Sequence, residues 1–268
     1  MKDEMRLDAW LVRQGLAGGR DKAKELLASG QVTVNGRPVC KPSFGVAPGD
    51  RVECTAPAER YVGRGGYKLE KLLAGQSLGG QVFMDVGAST GGFTDCLLQH
   101  GAAHVYAVDV GRDQLHPSLR SDPRVTVLEE TDVRSEKLAA AVPAAALDGA
   151  VADVSFVSLT RVLPPLLPYL KPDGILICLI KPQFEAGRSA VGKRGVVRDT
   201  AVHCRVLTEL LDFFRQLDLA AEQLTYSPIT GGEGNIEYLV QLRRTDDAAS
   251  RTWDVPRLVA QAFAALGR

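Results

Sequence analysis

The sequence predicts an α/β protein: a seven-stranded, mostly parallel sheet covered by helices, preceded by a small α+β module. Three observations carry this. From residue 67 onward, short apolar runs alternate with amphipathic segments, the pattern of a parallel sheet with helices on both faces. Before residue 60 the order is helix, helix, hairpin, strand. Between the two parts lies a stretch rich in Gly, Ala and Pro. The boundaries are expected at residues 1–58 for the module, 59–66 for the linker and 67–268 for the larger domain.

In the module, Leu7, Trp10 and Leu11, then Ala23, Leu26 and Leu27, recur at helical spacing, with a Gly18-Gly19 turn between them. Val32-Thr33-Val34 runs into Asn35-Gly36, a strong hairpin signal. Pro48-Gly49-Asp50 marks another turn before a strand at residues 51–54. Between Arg6 and Lys41 the chain carries seven basic residues (Arg6, Arg13, Arg20, Lys22, Lys24, Arg37, Lys41) against three acids (Asp8, Asp21, Glu25). A basic face on so small a module suits nucleic-acid phosphates.

In the larger part, strands are expected at residues 82–86, 105–110, 125–128, 147–151, 174–180, 221–226 and 236–243. Helices are expected at 93–100, 202–217 and 255–265, the last capped by Asp254 with Pro256 in its first turn. Residues 157–170 are helical in pattern but carry Pro164, Pro165 and Pro168, so this helix must start late, bend or break.

Composition narrows the function. The chain has 268 residues, 45% hydrophobic and 24% charged, with zero formal net charge, so only local charge can identify an anionic partner. The N-terminal segment lacks the apolar core of a signal peptide, and the longest apolar run, residues 175–180, is too short to span a bilayer. The five cysteines show no metal-ligand or disulfide spacing, and four of them are expected to be buried small hydrophobes. The reading is a reduced, cytoplasmic protein with no metal.

The chemistry concentrates in "DVGASTGGF", residues 85–93, after the first strand of the sheet. As Gly-x-Ser-x-Gly it would make Ser89 a hydrolase nucleophile needing a later acid and histidine. Of His100, His104, His116 and His203, only His203 is suitably spaced, and it is expected on the outer face of a helix. As a dinucleotide loop, Ser89 would crowd the pyrophosphate that the middle glycine normally admits. S-adenosylmethionine has no pyrophosphate and carries positive charge on its amino group and its sulfonium. Asp85 suits that cationic end, Asp109 at the end of the second strand suits the ribose, and Asp132 after the third can reach the adenine edge. Gly87, Ser89, Gly91, Gly92 and Phe93 complete the expected cofactor loop.

Four further residues stand at element ends: Lys68, Asp153, Lys181 and Glu237. Two neighbouring lysines, held by carboxylates, can produce a base able to take a proton from a weakly acidic hydroxyl. Their order resembles the Lys-Asp-Lys-Glu tetrad of FtsJ-type ribose 2′-O-methyltransferases. The whole chain resembles the TlyA, or hemolysin A, family of ribosomal RNA methyltransferases through "GRGGYKLEKLL", "DVGASTGGFTDCLLQHGAAHVYAVDVGRDQL", "DVSFVSL", "LIKPQFEAGR", "GVVRD" and "GGEGNIEYL". "RLDAWLV", "SGQVTVNG" and "KPSFGVAPGDRV" resemble the S4 RNA-binding module.

The resemblance implies a Rossmann-like methyltransferase domain, S-adenosylmethionine as donor, and ribosomal RNA or ribosomal subunits as partners. It implies Lys181 as proton acceptor, Lys68 and Asp153 tuning it, and Glu237 orienting a lysine or the ribose. Arg64, Arg188, Lys193 and Arg194 join the module's Arg6, Arg20, Lys22, Lys24, Arg37 and Lys41 as expected RNA contacts, and the loop at 188–198 is expected to close over the substrate. Family members carry Arg-x-Trp-Val in the linker; here the stretch is Glu59-Arg60-Tyr61-Val62. Two rival readings stand beside this one: an RNA-binding or ribosome-assembly factor without turnover, and membrane lysis.

Overall fold

A computed structural model describes residues 4–17, 19–55, 60–245 and 252–267. Residues 1–3, Gly18, the Ala56-Pro57-Ala58 tract and Glu59 lie outside the described residues, as does the side chain of Asp21. The chain forms two compact units, residues 1–62 and 63–268.

The first unit holds β1 (Met5–Arg6), α1 (Leu7–Arg13), α2 (Arg20–Ala28), β2 (Val32–Val34), β3 (Arg37–Pro38), β4 (Gly45–Val46) and β5 (Val52–Cys54). Strands β3-β2-β5 form one antiparallel sheet and β1-β4 another. Asn35 (φ 51°) and Gly36 (φ 76°) both take the left-handed conformation that a tight hairpin between β2 and β3 requires. Leu7, Leu11, Leu26, Leu27, Val32 and Val34 fill the core, so the helical and strand periodicities point to one interior.

The second unit holds α3 (Gly65–Leu73), β6 (Val82–Val86), α4 (Gly92–Gln99), β7 (His104–Val108), α5 (Pro117–Arg120), β8 (Val125–Leu128), α6 (Glu136–Ala141), β9 (Leu147–Ala152), α7 (Leu159–Leu166), β10 (Leu170–Ile180), α8 (Pro182–Glu185), α9 (Thr200–Gln216), β11 (Leu219–Tyr226), β12 (Tyr238–Arg244) and α10 (Val255–Leu266). Its sheet has the order β11-β12-β10-β9-β6-β7-β8. Neighbours from β10 to β8 are parallel, and β12 runs antiparallel to both β10 and β11. The chain enters at β6, builds outward through β7 and β8, then returns to lay β9 on the other side of β6. That reversal opens a crevice beyond the carboxyl ends of β6 and β9.

The proline-rich helix starts late: α7 begins at Leu159 behind the cap of Ser158, whose side chain accepts from Thr160 N–H, and it turns 3-10 at Leu167–Tyr169. Strand β10 begins at Leu170 rather than 174, because Lys171-Pro172-Asp173 forms an irregularity within the strand. Cys96 and Cys178 are buried, but Cys54 and Cys204 are only half-buried and Cys40 is exposed, so two cysteines rather than four are core residues. No helix of the described residues is long and apolar enough to cross a membrane.

Candidate active site

The apolar run of β6 carries Asp85 into the interior, where it is 0% exposed. Its Oδ2 accepts from Thr94 N–H at 2.9 Å and from Thr94 Oγ1–H at 2.7 Å, which pins α4 to the strand end. Its Oδ1 is buried with no partner. Burial, with added repulsion from Asp153 and Asp109, pushes the carboxyl up to about 7, against the pull of the Thr94 bonds.

Gly87 takes φ 81°, and a Cβ there would stand 2.6 Å from Asp153 O, so a bare backbone is needed where β6 meets β9. Ser89 follows with φ 48° and donates its N–H to Asp109 Oδ2 at 2.8 Å. Asp109 Oδ1 accepts from Gly111 N–H at 2.7 Å. One carboxylate thus ties together the loops after β6 and β7.

Gly87, Ser89, Asp109 and Asp132 all line a cavity of about 530 Å³ in the crevice. Gly91, Gly92 and Phe93, expected to hold cofactor, are not among the residues lining this cavity. A side chain on Gly91 would strike Leu115 and Leu119. A Cβ on Gly92 would meet the backbone of Gly63, Gly65 and Gly66 at 3.0–3.1 Å, and Phe93 is a buried core residue against Gly65. Gly92 is bare so that the start of α3 can dock on the start of α4, which carries Lys68 toward the sheet edge.

Asp132 lies in the cavity wall, gripped by Arg134 at 2.7 Å. The guanidinium's hydrogen bonds hold its carboxyl down at about 2. Glu129, which sequence reasoning missed, accepts from the N–H groups of Asp113, Gln114 and Leu115 and so shapes the wall beyond β7. Arg120 first, then those amides, hold its carboxyl at about 2.

A cofactor with a ribose fits this cavity. Asp109 keeps lone pairs for ribose hydroxyls after its two amide bonds, whereas Asp85, expected to meet the cationic end, is wholly buried and is not among the residues lining the cavity. S-adenosylmethionine carries such a ribose.

Beside the cavity, three strands end and a fourth begins, side by side. Gly87 follows β6, Asp153 follows β9, Lys181 follows β10, and Glu237 precedes β12. The register Ile180↔Tyr238 sets Lys181 and Glu237 side by side across the ladder. Two ion pairs result. Lys68 Nζ donates to Glu237 Oε2 at 2.7 Å, with side chains 9% and 3% exposed. Lys181 Nζ lies 2.6 Å from Asp153 Oδ1 and makes its better-directed hydrogen bond to Ser155 Oγ at 2.9 Å. The sequence expectation coupled the lysines to each other; in the structure each has its own carboxylate. Gln183 Nε2 approaches Glu237 Oε1 at 3.5 Å. Ser155 and Gln183 were missed, although both flank tetrad residues in the sequence. At the cavity rim Phe156 is 90% exposed, takes φ 65°, and tilts against Phe184 with centroids 5.0 Å apart.

His203, expected on the surface, is wholly buried. Its Nδ1 lies 2.9 Å from Tyr238 OH and its Nε2 3.1 Å from Val197 O, so both ring nitrogens are occupied and neither serves Ser89. Burial pushes its pKa down.

Of the expected RNA contacts, Arg6 is bound by two hydrogen bonds to the buried Asp8, which neutralises much of its charge. Lys22 pairs with Glu25 at 3.5 Å. Arg20, Lys24, Arg37 and Lys41 are exposed on the first unit. Arg60 stacks over Tyr61 at 5.2 Å in the stretch expected as linker. In the second unit Arg188, Lys193 and Arg194 are exposed, and Arg64 donates to Thr230 O at 2.8 Å. The loop at 188–198 is tied down at its far end: buried Asn235 accepts from Val197 N–H at 3.1 Å and donates to Gly195 O at 2.9 Å.

The chain matches the FtsJ-like methyltransferase model over residues 61–244 and the S4 domain model over residues 5–52. It is 41% identical over 252 residues to the 16S/23S rRNA (cytidine-2′-O)-methyltransferase TlyA of Mycobacterium tuberculosis, with 93% of each chain covered. It is 39% identical over 240 residues to Hemolysin A of Brachyspira hyodysenteriae, covering 88% of this chain and 98% of that one. A solved structure from Streptococcus thermophilus, provisionally named a hemolysin, superposes with a TM-score of 0.74 at 38% identity, covering 99% of this chain and 98% of the other. The chain therefore belongs to the FtsJ-like methyltransferase family, in its TlyA group, and carries an S4 domain ahead of the methyltransferase domain.

Proposed function

We propose that this protein transfers a methyl group from S-adenosylmethionine to a ribose 2′-hydroxyl of ribosomal RNA, with Lys181 accepting the proton. One observation carries the reading: the pairs Lys68–Glu237 and Lys181–Asp153 converge on adjacent strand ends beside a cavity suited to the cofactor. The names of the TlyA relatives support the substrate.

S-adenosylmethionine, when bound, supplies an electrophilic methyl group on a positively charged sulfur. Asp109 would hold the ribose of that cofactor and Asp132 its adenine edge. The largest contribution of the chain is alignment of the acceptor oxygen. Lys181 takes the hydroxyl proton while Ser155 Oγ, 2.9 Å away, steers its Nζ. The ammonium then formed is stabilised by Asp153 at 2.6 Å. A base so placed contributes about 10²–10⁴-fold. Glu237 holds Lys68 by a hydrogen bond of 2.7 Å, and that pair would orient the ribose.

A ribose reaches such a site only if its nucleotide leaves the stack. Phe156, exposed beside the tetrad and backed by Phe184, offers the displaced base a flat apolar face. Arg20, Lys24, Arg37 and Lys41 would hold phosphates on the S4 domain, and Arg188, Lys193 and Arg194 on the methyltransferase domain.

The test is transfer of labelled methyl from S-adenosylmethionine to deproteinised ribosomal RNA and to isolated subunits, followed by nucleoside mass spectrometry. A 2′-O-methylnucleoside is expected. Label on a base, or none on any ribosomal RNA or particle, refutes the reading; the latter favours an assembly factor without turnover.

A further inference from the structure

We infer that a second cavity, of about 500 Å³, walled by residues 196–198, the loop at 228–236 and the last turn of α10, is a nucleotide subsite. It takes the residue next in the RNA chain to the methylated one. The inference rests on the methyl-transfer reading above.

Part of its lining is cationic. Arg64 and Arg198 both line it. The bond from Arg64 Nη2 to Thr230 O fixes that guanidinium and leaves its other donors free. Arg198 is exposed and makes no side-chain hydrogen bond or ion pair among the described residues. A neighbouring hollow adds Lys193 and Arg194 to the same edge, which extends the positive track a phosphate backbone would follow.

The rest of the lining differs from the two guanidiniums. Ile229, Ile236 and Phe263 give it an apolar floor. Glu233 and the closing turn of α10 at Leu266 and Gly267 supply acceptors, because the last carbonyls of a helix lack partners within it. Guanidiniums and acceptors lining one cavity match a nucleotide: phosphate on the guanidiniums, and a base carrying an exocyclic amino group on the acceptors. Adenine, cytosine and guanine offer that donor; uracil does not.

The wall is prebuilt. Asn235 holds Val197 N–H and Gly195 O, and His203 holds Val197 O, so two buried side chains set the 195–197 backbone before any ligand arrives. The position suits a neighbour of the target. Arg64, the residue that caps α3, stands four residues ahead of Lys68, about 6 Å along the helix axis. Ile236 in the cavity floor directly precedes Glu237 of the tetrad.

The experiment has two arms on the full-length protein. In steady-state methyl transfer to deproteinised ribosomal RNA, Arg198→Ala should raise KM for RNA about tenfold and leave kcat within about twofold. S-adenosylmethionine affinity should not change. The slope of log affinity for RNA against log salt should shrink by about 0.7, the share of one phosphate contact on a single strand. In binding of labelled short oligo(C) and oligo(U), oligo(C) should bind more tightly, and Glu233→Gln should narrow that preference. Both residues are exposed, so neither substitution threatens the fold. An unchanged KM and salt slope in Arg198→Ala, with transfer intact, overturns the subsite and leaves the function standing. Equal binding of the two oligonucleotides overturns the amino-group reading. No transfer by the unsubstituted protein to any ribosomal RNA overturns the functional reading and the subsite with it.

Discussion

Asp85 gives the sharpest test of how this cofactor cavity is held. Its carboxyl is fully buried, one oxygen accepts two bonds from Thr94, and the other has no partner. The carboxyl is raised from 3.8 to about 7, chiefly by burial. For an acid raised in the folded state, the associated stability is complete below the unfolded value and is lost as pH rises to the folded one. The loss therefore runs from about pH 4 to about pH 7 and is constant above that. With about 1.36 kcal/mol for each pH unit between the two values, ionised Asp85 costs the folded protein about 4 kcal/mol at the upper limit. Asp85→Asn keeps an oxygen for Thr94 and removes the charge. The difference in unfolding free energy between variant and parent should move in the variant's favour by about 3 kcal/mol between pH 5 and pH 8.5, as an upper limit, since only about the last two pH units of the loss fall in that window. Urea unfolding at the two pH values measures it, because other titrations cancel in the difference. Parallel pH profiles for parent and variant would refute the reasoning, since they require an ordinary acid at this position.

Other substitutions separate chemistry from architecture. Lys181→Ala should lower methyl transfer at least about 10²-fold while S-adenosylmethionine affinity, read by calorimetry, stays within a few-fold; loss of cofactor binding contradicts the assigned role. Lys68→Ala leaves Glu237, 3% exposed, as an uncompensated buried charge, so it should cost about 3–5 kcal/mol in urea unfolding besides its effect on transfer. Gly87→Ala places a Cβ 2.6 Å from Asp153 O at φ 81°, and should cost about 1–3 kcal/mol with a matching loss of cofactor affinity. Phe156→Ala should reduce kcat/KM for RNA by about 10–100-fold, the loss of one stacked base, while the Tm stays nearly unchanged, since a ring that is 90% exposed buries little apolar area even against Phe184.

The sheet was legible because its strands are apolar runs between polar turns: β6 and β8 fall on the residues expected, and other strands shift by a few positions at their ends. What escaped was short or disguised. Helices α5, α6 and α8 span four to six residues, too few for periodicity to register. His203 was misplaced because a polar residue on an amphipathic helix reads as exposed; burial is tolerated here only because Tyr238 and Val197 satisfy both ring nitrogens. The composition of the glycine loop announces close approach without saying to what; at Gly92 the approaching group is the backbone of Gly63, Gly65 and Gly66. The tetrad is the opposite case. Its members are scattered from Lys68 to Glu237, and each alone resembles an ordinary cap or surface charge. The antiparallel pairing of β12 with β10 sets Glu237 beside Lys181 and the parallel pairing of β10 with β9 brings in Asp153, and a strand reversal at one sheet edge is not written in local periodicity. Resemblance to a family supplied the grouping; the ladder supplies its physical cause. A one-residue slip in that ladder would turn Glu237 to the opposite face and strand Lys68 without a counter-ion in the core, so the register of β12 is itself a condition for the chemistry.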